Sequence, residues 1–148
     1  MTQPQYRKPL PVPMNPSLTK PYWDALKRHE VVIPRCKHCN RFFMYPREQC
    51  PYCMSSDLEW AKVSGEGRLY SYTIVYQPMS PAFNADAPYI NCVIELAEGV
   101  HLASNLVDID VQEYHGEAPK DKINQRVVPV FDDVTPEWTL LKFRPAPE

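Results

Sequence analysis

The sequence predicts a mostly β protein made of one short N-terminal helix, a metal-stapled ribbon and a small five-stranded barrel. Two cysteine pairs, a proline-rich composition and five strand-like runs predict it. The 148 residues include 17 prolines and only 4 glycines, a balance that argues against long helices and for many sharp boundaries. Four of the five cysteines fall in two CxxC pairs, a pattern of thiolates held by metal in a reducing compartment rather than of disulfides. A chain of this length holds one ordinary domain, or a small metal-stapled module joined to a small β domain.

Residues 1–30 read as an arm followed by the helix. Pro4, Pro9, Pro11, Pro13 and Pro16 fix φ repeatedly and remove backbone donors, so residues 1–16 are expected to be extended and irregular. Ser17 offers an N-cap, and Leu18, Trp23, Leu26 and Lys27 recur at roughly helical spacing. Pro21 fits such a helix only within its first turn.

Residues 31–62 read as strand, knuckle, strand, knuckle: VVIP leads into CKHC, RFFMYP follows, and QCPYC precedes SSDLEW. Each CxxC places two sulfurs on one ion, and the residues between Cys39 and Cys50 allow a hairpin to bring the pairs together. Cys36, Cys39, Cys50 and Cys53 are therefore the expected ligands, and four thiolates in tetrahedral geometry suit zinc. Iron accepts the same ligands, but the loops of one-iron electron carriers usually contain glycine, which CKHC and CPYC lack. A redox CxxC is disfavoured because no βαβ pattern surrounds either pair. His38 lies between two ligands, a place that usually points away from the ion. With four protein ligands the zinc has no open position, so its expected role is structural.

Residues 63–148 read as the barrel, with strands in GRLYSYTIVYQ, PYINCVIELA, VHLASNLVDID, RVVPVFDDV and WTLLKFR. AEGV looks like a tight hairpin, while VYQPMSPAFNADAPY and YHGEAPKDKINQ are longer connections without either period. The arm and the 77–89 loop are the expected partner interface. Cys92, alone among apolar neighbours, reads as a small buried hydrophobe. His29, His38, His101 and His115 fall in no catalytic signature, and Asp132 and Asp133 point to opposite faces of their strand.

Charge is divided unevenly: residues 1–48 carry nine Lys/Arg against three Asp/Glu, and residues 49–148 carry seven against fifteen. A basic N-terminal segment suits an acidic protein, a nucleic acid or a phosphorylated ligand. The acidic barrel half disfavours single-stranded nucleic acid, which otherwise suits zinc ribbons and small barrels. No apolar run approaches the ~20 residues that span a bilayer, and the N-terminus lacks a secretion signal; a soluble, cytoplasmic protein is expected.

Four segments together, PYWDALKRHEVVIPRCKHC, FMYPREQCPYC, APYINCVIELAEGVHLASNLVD and LKFRPA, resemble the DUF35 family of zinc-ribbon/OB-fold proteins. The resemblance implies a rubredoxin-like zinc ribbon followed by a five-stranded OB-fold barrel, with the four cysteines as ligands. It implies a non-catalytic subunit of a hetero-oligomer with a thiolase-fold protein acting on acyl-CoA thioesters, the catalytic residues lying on the partner. Related modules accompany retro-aldolases, and within the family the chain is similar to the small subunits of thiolases that cleave benzoylsuccinyl-CoA in anaerobic toluene breakdown. Coenzyme A needs cations for its phosphates and an apolar face for the rest. Arg35, Lys37, Arg41 and Arg47 are candidates for the first, and Phe42, Phe43 and Tyr45 for the second. The same side chains also suit packing or a solvated surface. Tyr45 departs from the Phe-Pro-Pro-Arg of many relatives, and the family's usual glycine before Arg126 is missing.

Overall fold

A computed structural model describes residues 6–116 and 122–147. The first five residues of the arm, residues 117–121 of the second long connection and Glu148 lie outside the described residues. The elements in order are α1 (Pro16–Lys27), β1 (Val31–Cys36), β2 (Leu58–Val63), β3 (Gly67–Val75), a 3-10 turn (Pro81–Asp86), β4 (Tyr89–Leu96), β5 (His101–Leu106), a second 3-10 turn (Val111–Tyr114), β6 (Arg126–Asp133) and β7 (Thr139–Pro145).

Helix α1 starts one residue before the expected cap. Asn15 takes the N-cap position without a side-chain bond to the backbone, and Pro16 opens the first turn, where its missing N–H costs nothing. Pro21 lies inside the helix, beyond the first turn to which the sequence confined it. The helix is retained because one face is buried: Ala25 and Leu26 are fully covered, and Trp23 meets Trp138 edge to face at 5.1 Å.

In the ribbon, the strand after the first knuckle proves to be only a single bridge, Phe42 to Arg35. The true partner of β1 is β2, beyond both knuckles, in a continuous antiparallel register from Val31↔Val63 to Cys36↔Leu58. That long-range pairing buries Val31 and Ile33, which join the same hydrophobic core as the barrel residues Leu69, Ile94, Val127 and Phe143.

The five predicted barrel strands all form, and they close in the order β3-β4-β5-β7-β6. This is the OB arrangement. Alternation along β4, with Ile90, Cys92, Ile94 and Leu96 inward, places one face of each strand in the core. The β4–β5 hairpin turns at Gly99, whose φ of +84° few other residues tolerate. Gly67 is required for a different reason: a Cβ there would lie 2.5 Å from the Glu95 carbonyl oxygen. The barrel closes thinly at two seams: β5 and β7 run parallel with the single register pair Leu106↔Phe143, and β3 meets β6 in only two pairs. Among the described residues no helix is long and apolar enough to cross a membrane.

Candidate metal centre and ligand face

The two cysteine knuckles are built alike. In the first, the Asn40 amide donates to the Cys36 carbonyl at 2.8 Å and the Cys39 amide to the Cys36 sulfur at 3.4 Å. In the second, the Met54 amide donates to the Cys50 carbonyl at 2.9 Å and the Tyr52 amide to the Cys50 sulfur at 3.4 Å. The residue after each pair turns left-handed, Asn40 at φ +63° and Met54 at φ +67°. Asn tolerates that conformation readily, whereas Met holds it at a cost of about 1 kcal/mol. CxxC spacing alone did not show these two positions.

The four sulfurs lie within 4.8 Å of one another, and Cys36–Cys53 and Cys39–Cys50 are each separated by 3.6 Å. A tetrahedron with zinc–sulfur bonds of ~2.3 Å has edges of about 3.8 Å, close to the two shorter sulfur–sulfur separations, so the donor set suits zinc. Charge leads to the same conclusion. The Cys39 amide is foremost in holding the Cys36 thiol below its usual range. Burial opposes ionisation of Cys50, but the amides of Tyr52 and Cys53 outweigh it and bring that thiol to about 7. The Ser55 amide favours ionised Cys53, yet burial and the neighbouring sulfurs push it up to about 12. Four thiolates this close repel one another, and a bound dication removes that conflict.

Of the seven residues assigned to coenzyme A, the structure gives most a second occupation. Arg35 pairs with Glu59 at 3.2 Å and covers the Phe42 ring. Lys37 stands 3.7 Å from Asp57, and Arg41 lies over the exposed Tyr52 ring at 4.6 Å. Arg47 is exposed, beside a cleft that includes Leu18, Glu48, Glu59 and Trp60. Phe43 is corrected: at 2% exposure its ring is packed away and has no face left for a ligand. Tyr45 has a role the sequence did not reveal. Its hydroxyl accepts from the Ala103 amide at 2.9 Å, capping an edge donor of β5 and tying the ribbon to the barrel.

Around Tyr45 a groove of about 310 Å³ opens between α1, the Met44–Pro46 turn and the barrel, with Tyr22, Trp23 and Leu141 in its walls. It shares Asn105, Leu140 and Lys142 with a neighbouring cavity of about 340 Å³ beneath Tyr6, Lys8 and Phe83. The two form one depression along the thinly bonded β5–β7 seam. The arm roofs part of it, because Lys8 pairs with Asp86 at 2.5 Å. Proximity of the arm to the 77–89 loop was not legible in sequence.

Several other titratable groups have structural partners. Asp132 accepts from Lys142 at 2.6 Å. Asp133 meets His29 at 2.9 Å and Thr139 at 2.5 Å, and the His29 ring stacks on Phe131. His101 bonds Glu95 at 2.8 Å. Cys92 is 4% exposed, and burial pushes its thiol up to about 12, the behaviour of an inert core residue.

Residues 23–59 match the family model described as the ChsH2 rubredoxin-like zinc ribbon domain, and residues 60–132 match the ChsH2 C-terminal OB-fold domain. A DUF35 domain-containing scaffold protein of Methanocaldococcus jannaschii is 31% identical over 75% of this chain and 79% of its own length. A probable enoyl-CoA hydratase alpha subunit of Thermomonospora curvata is 35% identical over 98% of this chain. The chain spans only 44% of that relative's length. Among solved structures, a chain of the Ltp2-ChsH2(DUF35) aldolase superposes with a TM-score of 0.78 at 34% identity, covering 92% of this chain and 100% of the other.

Proposed function

We propose a function from one premise: the chain belongs to the ChsH2-like DUF35 family of zinc-ribbon and OB-fold proteins. It serves as a non-catalytic scaffold subunit that assembles with an enzyme of acyl-CoA thioesters and helps to hold coenzyme A where the two chains meet. The observation that carries this reading is the ribbon itself. Its four sulfurs lie within 4.8 Å of one another, a donor set that would complete a tetrahedral ion, and its first strand is embedded in the barrel core. Such a unit is a rigid platform rather than a reaction centre.

Zinc in this site would be held by Cys36, Cys39, Cys50 and Cys53, and what it supplies is folding free energy. Coenzyme A would use the cations Lys37, Arg41 and Arg47, with Arg35 shared with Glu59. Tyr45 would line the apolar groove that the pantetheine and acyl chain enter, and Phe42, beneath Arg35, would add apolar surface beside that cation. The partner we favour is a thiolase-fold protein, whose cysteine and histidines would carry the chemistry, with benzoylsuccinyl-CoA as the specific substrate. A second reading is supported by the solved aldolase complex: the partner is an aldolase and the same platform serves carbon–carbon cleavage of another CoA thioester.

Affinity-tagged chain recovered from its native cell, with bound proteins identified by mass spectrometry and metal measured on the same sample, tests this. One zinc per chain and a stoichiometric thiolase-fold protein are expected. An aldolase in its place selects the second reading, and recovery of the chain without an enzyme overturns both.

A further inference from the structure

The acidic half of the chain contains a basic site. Of its described cations, Lys62 pairs with Glu30, Lys122 with Glu113 and Lys142 with Asp132. The three arginines, Arg68, Arg126 and Arg144, make no ion pair among the described residues, and all three are exposed. They also lie together. Arg68 on β3 is the direct register partner of Arg126 on β6, and Arg144 on β7 is paired with Val128, two residues along β6 from Arg126. Their inward neighbours Leu69, Val127 and Phe143 are buried, so all three guanidinium groups project from the outer surface of the barrel.

Like charges directly opposite each other across two strands disfavour the pairing. Nearby acids do not relieve this: Glu95, the cross-strand partner of Arg68, turns to His101, and Arg68 itself donates to the Asn124 carbonyl oxygen at 3.0 Å. Glu66 lines the shallow cleft beside Arg68 and Arg126 without pairing to either. Among the described residues of this half every paired cation is a lysine and every unpaired one an arginine, the residue whose planar fork takes a carboxylate in bidentate fashion.

We infer that the outer face of β3, β6 and β7 is a docking surface for an acidic segment of the partner polypeptide, with Arg68, Arg126 and Arg144 as its anchors. Size selects a segment over a single oxyanion. Strands are ~4.8 Å apart and two residues rise ~6.8 Å, so the first and third arginines stand about 12 Å apart, a span that one phosphate or carboxylate cannot bridge but successive acidic side chains can. The identity of the partner rests on the scaffold-subunit reading; the site itself does not.

The test uses the whole zinc-loaded chain and a blocked hexaglutamate peptide, with affinity measured by fluorescence anisotropy at low ionic strength. An Arg68→Gln/Arg126→Gln/Arg144→Gln variant is expected to lose about tenfold or more in affinity, the scale of three lost charge-assisted contacts. A charge-matched Lys20→Gln/Lys27→Gln/Arg28→Gln variant, at α1 and its C-cap, should remain within about twofold, since rim charges add little. Zinc content and melting midpoint on the same samples show that both variants are folded. No peptide binding, equal losses in both variants, or inorganic pyrophosphate binding as tightly as the peptide would overturn the inference. Where the wild-type chain recovers a partner from its cell, unchanged recovery by the arginine variant overturns it as well; recovery of nothing by wild type bears on the scaffold reading, and the peptide still decides this one.

Discussion

Replacing Ile33 by alanine tests whether the ribbon and the barrel are one cooperative unit. Ile33 lies on β1 of the ribbon, is fully buried, and belongs to the barrel's own core cluster. The substitution removes three carbons, worth about 2.4 kcal/mol at ~0.8 kcal/mol each, and the unfilled space adds roughly another 1 kcal/mol. A loss of about 3–4 kcal/mol lowers the melting midpoint of a chain this size by roughly 10 °C. Urea titrations would follow strand content by circular dichroism and, in parallel, zinc release to a chromogenic chelator. The two signals should share one midpoint in wild type and move together in Ile33→Ala. Separate midpoints, or a shift confined to zinc release, would refute the common core.

Three other outcomes are expected. Tyr45→Phe leaves the Ala103 amide without its acceptor, costing about 1 kcal/mol, and amide exchange at Ala103 should accelerate with zinc content unchanged; undiminished protection would rule out the bond. Thr139, and then His29, hold the Asp133 carboxyl below its ordinary 3.8. Its contribution is therefore complete above that value and is lost as pH falls through the lower folded value. Asp133→Asn should be less stable at neutral pH and converge with wild type in strong acid, and parallel acid profiles would contradict this. Metal removal by chelation, or Cys53→Ser, should abolish the strand signal of the entire chain, because zinc contributes ~10–16 kcal/mol in finger peptides against ~5–15 kcal/mol for a whole domain. A barrel left intact in zinc-free protein would contradict that.

Much of the fold was legible because its signals are local. Inward Ile90, Cys92, Ile94 and Leu96 repeat with period two, and paired cysteines advertise their own turns. Features that depend on distant partners were not. Nothing near RFFMYP says that β1 pairs with Leu58–Val63 instead, and the aromatic run gives no hint of which ring is buried, so Phe43 reads like Tyr45. A tyrosine hydroxyl capping an amide 58 residues away, or Lys8 meeting Asp86, leaves no periodic trace. The three arginines look scattered until strand register brings them to one face.

The thinly bonded barrel also has a history during synthesis. Its closing contacts join residues 67 and 127 and residues 106 and 143, whereas the ribbon is complete once β2 ends at Val63. At ~5–20 residues per second, the ribosome delivers the ribbon about 4–16 s before the last strand. In that interval the nascent chain can load its metal, yet Val31 and Ile33 have no barrel to cover them. The ribbon thus waits as a preformed wall onto which later strands condense, and for those seconds its apolar strand is the part of the molecule most open to chaperones.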